Sequence, residues 1–440
     1  MFFSKKDSGV HPKYFKEHTQ DKPIKTAVPP KIAIIPLIQH TGAPCEPIVK
    51  VGDKVKVGTK IGDSGKFVSS PVHSSISGTV LSIDKSPHPS LGQSLSVYIE
   101  NDEKNEPDPA YFKQKNIDSL NADEIRSIIR DAGIVGLGGA AFPTHVKLTP
   151  PKEKKIDTLI INGAECEPYL TCDYRLMIEN SCEILKGVRI IKKVLGVEKV
   201  FIAIEKNKPR AIRLMQQFLE DVKVAELKTL YPQGSEKTMI KGILNREVPS
   251  GGLPLDIGVV VQNVGTACAV YEAVERGKPL IERVVTVSGS CVKEPANLRV
   301  KIGTPIKDLI EQCGGLTGEP AKIIVGGPMM GIAQYSDSVP VTKATTGVLV
   351  FGKNEILNND KWQQCISCSR CTDACPVGLV PSVLSMAAEK DKFGTAQEYN
   401  VFDCFECGNC GYVCPSKRPM VQLIKYAKSQ ILKKQKAEAK

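Results

Sequence analysis

The chain has 440 residues, a formal net charge of +11 and 41% hydrophobic residues. Its length suits about three domains, and 36 Gly with 30 Pro are too few for a collagen-like or disordered chain. No stretch approaches the roughly 20 apolar residues a membrane helix needs, and the opening MFFSKKDSG lacks the apolar run of a signal peptide. An integral membrane protein and a secreted protein are therefore both disfavoured.

Residues 1–30 are polar, carry Pro23, Pro29 and Pro30, and read as an extended arm. Residues 31–105 are short β-branched runs cut by Gly and Pro, an all-β pattern. Within them, Val51–Gly58 and Pro71–Val80 resemble a barrel-sandwich hybrid of the biotinyl/lipoyl type. Members with a prosthetic group present a Lys on a hairpin tip. Lys66 lacks the expected neighbours, so a structural module is expected. Residues 101–116 form a polar linker. Asn121 with Glu124 predicts a capping box for a helix ending at Gly133.

From 117 to 280, strand-like runs (IDTLIING, KVFIAIE, VAELKTLY, IGVVVQNV) alternate with helical stretches near 173–195, 208–221 and up to Arg276. This predicts an α/β domain with a mainly parallel sheet. Residues 281–340 show short strands, one amphipathic turn and Gly-rich corners. Residues 341–352 are again β-rich.

The loop Gly136-Leu-Gly138-Gly139-Ala-Ala-Phe142 matches G-x-G-x-x-A. A dinucleotide fingerprint needs a strand before the loop, and here a capped helix precedes it. Asp157, at the spacing of a ribose carboxylate, opens a strand rather than ending one. A Rossmann fingerprint is therefore rejected. The glycines still let backbone N–H groups approach a phosphate.

Fifteen Cys are present, eight of them between Cys365 and Cys414. They read Cys365-x2-Cys368-x2-Cys371-x3-Cys375-Pro and Cys404-x2-Cys407-x2-Cys410-x3-Cys414-Pro, the bacterial [4Fe–4S] run twice over. In two-cluster ferredoxins the fourth Cys of each run ligates the other cluster. By that rule Cys365, Cys368, Cys371 and Cys414 hold one cluster, and Cys404, Cys407, Cys410 and Cys375 the other. Zinc would use paired C-x2-C motifs instead, and all six His lie at or before His145. The domain is expected over 355–420. From Lys417 onward eight Lys/Arg face one Glu, which makes 421–440 a basic tail. It is either a solvated helix end or a docking patch for an acidic protein or anionic lipid. No nucleic-acid signature accompanies it.

The Gly loop with Lys147 resembles the GxGGAGFPxxxK signature of the flavin-binding 51-kDa-type subunit of respiratory NADH dehydrogenase. Asn162-Gly-Ala-Glu165-Cys-Glu167-Pro resembles its NADExEP segment, Gly234-Ser-Glu236 its GEE turn, and Val261-Gln262-Asn263-Val-Gly-Thr266 its VNNVET strand end. Val287-Ser-Gly289 and Gly303-Thr-Pro305 resemble the β-grasp (SLBB-like) domain that follows there. The whole order, with His11-Pro12 and Trp362-x-x-Cys365, is similar to the C-subunit family of Rnf ferredoxin:NAD oxidoreductases.

The resemblance implies a multidomain α/β protein. Its parts are an N-terminal all-β barrel-sandwich hybrid, a flavin/NADH domain, a β-grasp domain and a helical two-cluster ferredoxin-like domain. It implies noncovalent FMN held by Gly136, Gly138, Gly139, Lys147, Asn162, Gln262, Asn263 and Thr266. Phe142 would stack on the nicotinamide or adenine, and Glu165 and Glu167 would face the nucleotide sugar and the flavin edge, with Glu236 close by. No catalytic acid or base is needed. Ala164 and Gly265 depart from the family's Asp and Glu. The implied function is a peripheral NADH-reactive subunit on the cytoplasmic face of the cell membrane. Other subunits of an ion-translocating complex, and ferredoxin through them, would be its partners. A cobalamin reductase built from the same parts, or a non-enzymatic electron relay, are the alternatives.

Overall fold

The computed structural model describes residues 9–217, 222–356 and 363–438. Trp362 and part of the helical stretch expected near 208–221 lie outside them.

The first domain is two small antiparallel sheets face to face. One contains Ile32–Pro36, Lys54–Val55, Gly78–His88 and Gly92–Asn101, and the other Glu46–Pro47, Lys60–Asp63 and Val72–His73. Alternation along the strands sends Ala33, Ile35, Val80, Val97 and Ile99 inward, where they meet Ile61 and Val72 of the second sheet.

The next domain is the expected α/β unit. Four parallel strands lie in the order Lys223–Leu227, Lys199–Glu205, Thr158–Asn162, Val259–Asn263. Apart from the edge strand Lys223–Leu227, they are largely apolar on both faces, as strands covered on both sides require. Leu159, Ile161, Ile202 and Val260 face the helices Ala122–Asp131, Ser181–Leu195 and Val264–Arg276. Ile160, Ala203, Val259 and Val261 face the helix Glu236–Leu244. The capping box forms as expected, Asn121 accepting from the Glu124 amide and Glu124 from the Asn121 amide. The stretch expected as one helix over 173–195 is two, Cys172–Glu179 and Ser181–Leu195, broken at Asn180.

The sheet that follows has six strands in the order Lys25–Thr26, Ala296–Lys301, Glu282–Ser288, Gly347–Gly352, Pro320–Val325, Ile332–Gln334. Two boundaries shift as a result. Gly347–Gly352 lies inside the sheet, so this domain runs beyond the expected 281–340. The arm supplies an edge strand through Lys25–Thr26 and is not wholly extended, since Lys16–His18 makes a 3-10 turn.

The C-terminal domain is helical: Arg370–Asp373, Pro381–Glu389, Phe393–Glu398, Asn409–Tyr412 and Met420–Glu438. The last helix corrects the expected basic tail. Met420, Ile424, Ala427 and Ile431 are buried against the domain, and a buried Ile alone contributes roughly 1.5–3 kcal/mol. Lys428 and Lys425 pair with Glu406, and Arg418 with Glu389. Only the part of this helix after Ile431 can act as a projecting basic end. Among the described residues no helix is long and apolar enough to cross a membrane.

Candidate functional site

In the parallel sheet the chain runs from Thr158–Asn162 to Lys199–Glu205 to Lys223–Leu227 in one direction. It then returns to the other side with Val259–Asn263. The order reverses between Thr158–Asn162 and Val259–Asn263, and open α/β sheets bind ligands at the carboxyl ends of such a pair. Those ends are Asn162 and Asn263, which sit opposite each other in register.

The Gly136–Gly139 loop stands over this crevice. The Leu137 amide donates to the Thr266 hydroxyl (2.8 Å), which ties the loop to the helix Val264–Arg276. Gly138 and Gly139 are exposed, Gly139 holds φ +108°, and a Cβ there would meet nothing within 4 Å. Among the described residues the amides of Gly138, Gly139 and Ala140 donate to no protein acceptor. The buried Gln262 Nε2 is likewise without a partner. Unspent donors around an open crevice suit a phosphorylated, polar-edged ligand such as FMN. Among the described residues no strand leads into the loop, and Asp157 is held by Arg246 at 2.8 Å, in keeping with rejection of a Rossmann site.

The other candidates have protein partners. Lys147 Nζ donates to Glu236 (2.6 Å) and to the Val261 carbonyl (3.1 Å). Asn162 donates to the Gly234 carbonyl, joining the strand end to the 234–236 turn. Asn263 caps the helix Val264–Arg276 through the Gly265 and Thr266 amides and donates to Asp173 (2.6 Å). Burial and the neighbouring Glu165 push the Asp173 carboxyl up. Glu165 accepts from the Asp173 and Tyr174 amides and so caps the helix Cys172–Glu179. Glu167 turns toward the next domain, accepting from the Met329 (3.0 Å) and Met330 (2.8 Å) amides; burial pushes it up to about 7. Phe142 is half-buried at the loop's end.

Parts of the two Cys-rich segments lie together. Cys375, Cys404, Cys407 and Cys410 line one pocket. Burial and then the neighbouring sulfurs push the Cys407 thiol up to about 12. Thiolates crowded this way are stable only beside a compensating cation, so the donor set fits a cluster. Cys414 packs with Cys371, and the Gln363 amide donates to the Ser416 carbonyl (2.9 Å), bringing the start of the first run beside the end of the second.

Three positions escaped the sequence reading. Tyr231, fully buried, donates its hydroxyl to the Cys407 carbonyl (2.7 Å) and joins the flavin-type domain to the second loop. Asn409 donates to the Ala374 carbonyl (3.0 Å), linking the two Cys segments. Lys16 of the arm, also buried, donates to the Glu165 and Leu170 carbonyls. Each partner is far off in sequence, and no local pattern marks any of the three.

Residues 129–272 match the Nuo51 FMN-binding domain family, and 4–104 the RnfC barrel sandwich hybrid domain. Residues 284–333 match the SLBB domain and 357–415 the 4Fe-4S dicluster domain. The chain is 52% identical over 425 residues to the C subunit of the proton-translocating ferredoxin:NAD(+) oxidoreductase complex of Clostridium ljungdahlii, covering 96% of this chain and 93% of that one. It is 43% identical to the Na(+)-translocating counterpart of Acetobacterium woodii, covering 96% of each. It is 42% identical to the C subunit of the ion-translocating oxidoreductase complex of Rhodobacter capsulatus, covering 97% and 83%. An NAD+-reducing [NiFe]-hydrogenase in the H2-reduced state shares the fold, with a TM-score of 0.51 and 17% identity over 72% of this chain and 63% of that one.

Proposed function

The chain belongs to the family of C subunits of ion-translocating ferredoxin:NAD oxidoreductase complexes, and on that premise we propose that it is the peripheral, NADH-reactive subunit of such a complex. It is an electron-transport subunit with an FMN-binding domain and a 4Fe-4S dicluster domain. FMN would be held at the strand-order reversal by the amides of the Gly136–Gly139 loop and by Lys147, Asn162, Gln262, Asn263 and Thr266. The nicotinamide nucleotide would lie along Phe142, Glu236 and the loop carrying Glu165 and Glu167. Cys365, Cys368, Cys371 and Cys414 would hold one cluster, and Cys404, Cys407, Cys410 and Cys375 the other.

Bound FMN supplies the conversion between a hydride and single electrons, and iron–sulfur clusters supply one-electron carriage. The protein's own part is position and electrostatics. The Gly loop presents its amides to an anion, Lys147 adds a positive charge, and the partly buried Cys pocket limits water around one sulfur set. Docking to membrane partners on the cytoplasmic side would use the exposed end of the last helix.

The observation that carries this reading is the placement of the flavin-family loop at the reversal point, in a domain that Tyr231 joins to a Cys quartet. The test is anaerobic NADH addition to the isolated full chain. Flavin bleaching is expected. A chain that retains FMN but is never bleached by NADH is a relay, with the hydride site on another protein.

A further inference from the structure

We propose that Tyr231 is a positioning residue for the iron–sulfur site of Cys375, Cys404, Cys407 and Cys410, its hydroxyl fixing the Cys407 carbonyl and stabilising the reduced cluster. The inference rests on the ligand assignment above and names a residue outside the Cys runs.

Four segments converge on this side chain. Its backbone pairs with Val10 of the arm in both directions, at 2.9 Å each. Its carbonyl lies 3.5 Å from Asn409 Nδ2. Its hydroxyl donates to the Cys407 carbonyl at 2.7 Å, while Glu167 Oε1 stands 3.5 Å off, a weaker second acceptor. A carbonyl has no hydrogen to give, so the phenol is the donor. The second Cys loop is pressed against the same place: Gly408 holds φ +85°, and a Cβ on it would lie 2.8 Å from the Met329 carbonyl. Cys375 and Cys410 are buried and Cys404 and Cys407 half-buried, while Tyr231 is fully buried among Val10, Cys166 and Ala374.

The oxygen of the Cys407 carbonyl carries a partial negative charge, and it belongs to the residue whose sulfur would hold the cluster. Capping the Cys407 carbonyl with an O–H draws off part of that charge next to a sulfur ligand. Hydrogen bonding of this kind and low solvent exposure are levers on cluster potential. Tyr231 therefore favours the reduced form at this site and leaves the Cys365, Cys368, Cys371 and Cys414 site unaffected.

The test is Tyr231→Phe in the full chain, prepared anaerobically, with redox-poised electron paramagnetic resonance. The signal missing in Cys404→Ala marks the cluster in question. The Phe variant keeps the ring and the Val10 pairing, so full FMN and full iron are expected. At a fixed potential the reduced-to-oxidised ratio of that cluster should fall roughly two- to tenfold, the effect of one neutral hydrogen bond. The other signal should not move. Unchanged potentials at both clusters overturn the proposal, and so does loss of flavin or of both clusters, which would make Tyr231 a general packing residue. Wild-type protein with only one cluster overturns the ligand assignment itself, and the proposal with it.

Discussion

The first Cys loop, Cys365–Cys371, and the second, Cys404–Cys410, turn on left-handed residues at matching positions. These are Ser367 and Ser369 in one (φ 54° and 61°) and Glu406 and Gly408 in the other (φ 63° and 85°). Their surroundings differ. In the first, Cys368 is exposed and Ile366 is 65% exposed. The second is covered by Tyr231, by Met329 and by a clamp on Asp403, which accepts from Ser250, Gly251 and Lys237 of the flavin-type domain. One ligand chemistry thus occupies two environments. Burial and hydrogen bonding are what tune cluster potentials, so the pair is built to be unequal.

The largest effect expected on this comparison comes from Cys414→Ala. It should remove the cluster of Cys365, Cys368 and Cys371, about four iron per chain, and spare the loop nearest to it in sequence. Iron analysis with magnetic resonance checks this; selective loss at Cys404, Cys407 and Cys410 would refute the crossed pairing.

Next comes Lys147→Ala, which lies outside both loops and so acts as a control on them. Losing a charge-assisted hydrogen bond to phosphate costs about 1.5–3 kcal/mol, so FMN retention should weaken roughly ten- to a hundredfold. Both clusters should stay. Lys147 already pairs with Glu236, and full flavin in the variant would mean that this pairing is its whole role.

Gly408→Ala against Ser369→Gly sharpens the difference between the loops. A non-Gly residue in the left-handed region costs roughly 1–2 kcal/mol, and at Gly408 the added carbon also meets the Met329 carbonyl. Iron should leave the second site faster in Gly408→Ala, and Ser369→Gly should leave the first site intact or slightly more stable. Equal behaviour under a chelator would show that the covering of the second loop is not felt.

The ligand runs were legible because metal chemistry fixes residue type and spacing within a dozen residues. The parallel sheet was legible because strands buried on both faces are continuously apolar. The site residues were legible only in part. Nothing local to Glu165 or Glu167 reveals that one caps a helix and the other reaches Met329 and Met330 across a domain boundary. The last helix shows the converse. Its lysines read as a tail because charge is visible in sequence, whereas the burial of Ile424 and Ile431 depends on partners the sequence does not place beside them.

The smallest effect is expected there. Removing residues 432–440 leaves the buried part of the helix in place and takes away Lys433, Lys434, Lys436 and Lys440. Each lysine near an anionic surface is worth about 1 kcal/mol, so membrane or partner association should weaken and raised salt should mimic the truncation. Co-purification unchanged at every salt concentration would make this end a solvated terminus.

On the reading proposed above, a single chain joins a hydride-accepting flavin to one-electron carriers. The most direct test is anaerobic iron, sulfide and flavin analysis of the full chain, followed by rapid mixing with NADH and freezing for magnetic resonance. About eight iron, eight sulfide and one FMN per chain are expected, with flavin bleaching accompanied by reduced-cluster signals. Tightly bound zinc without a charge-transfer band, or NADH that leaves flavin and clusters oxidised, would contradict it.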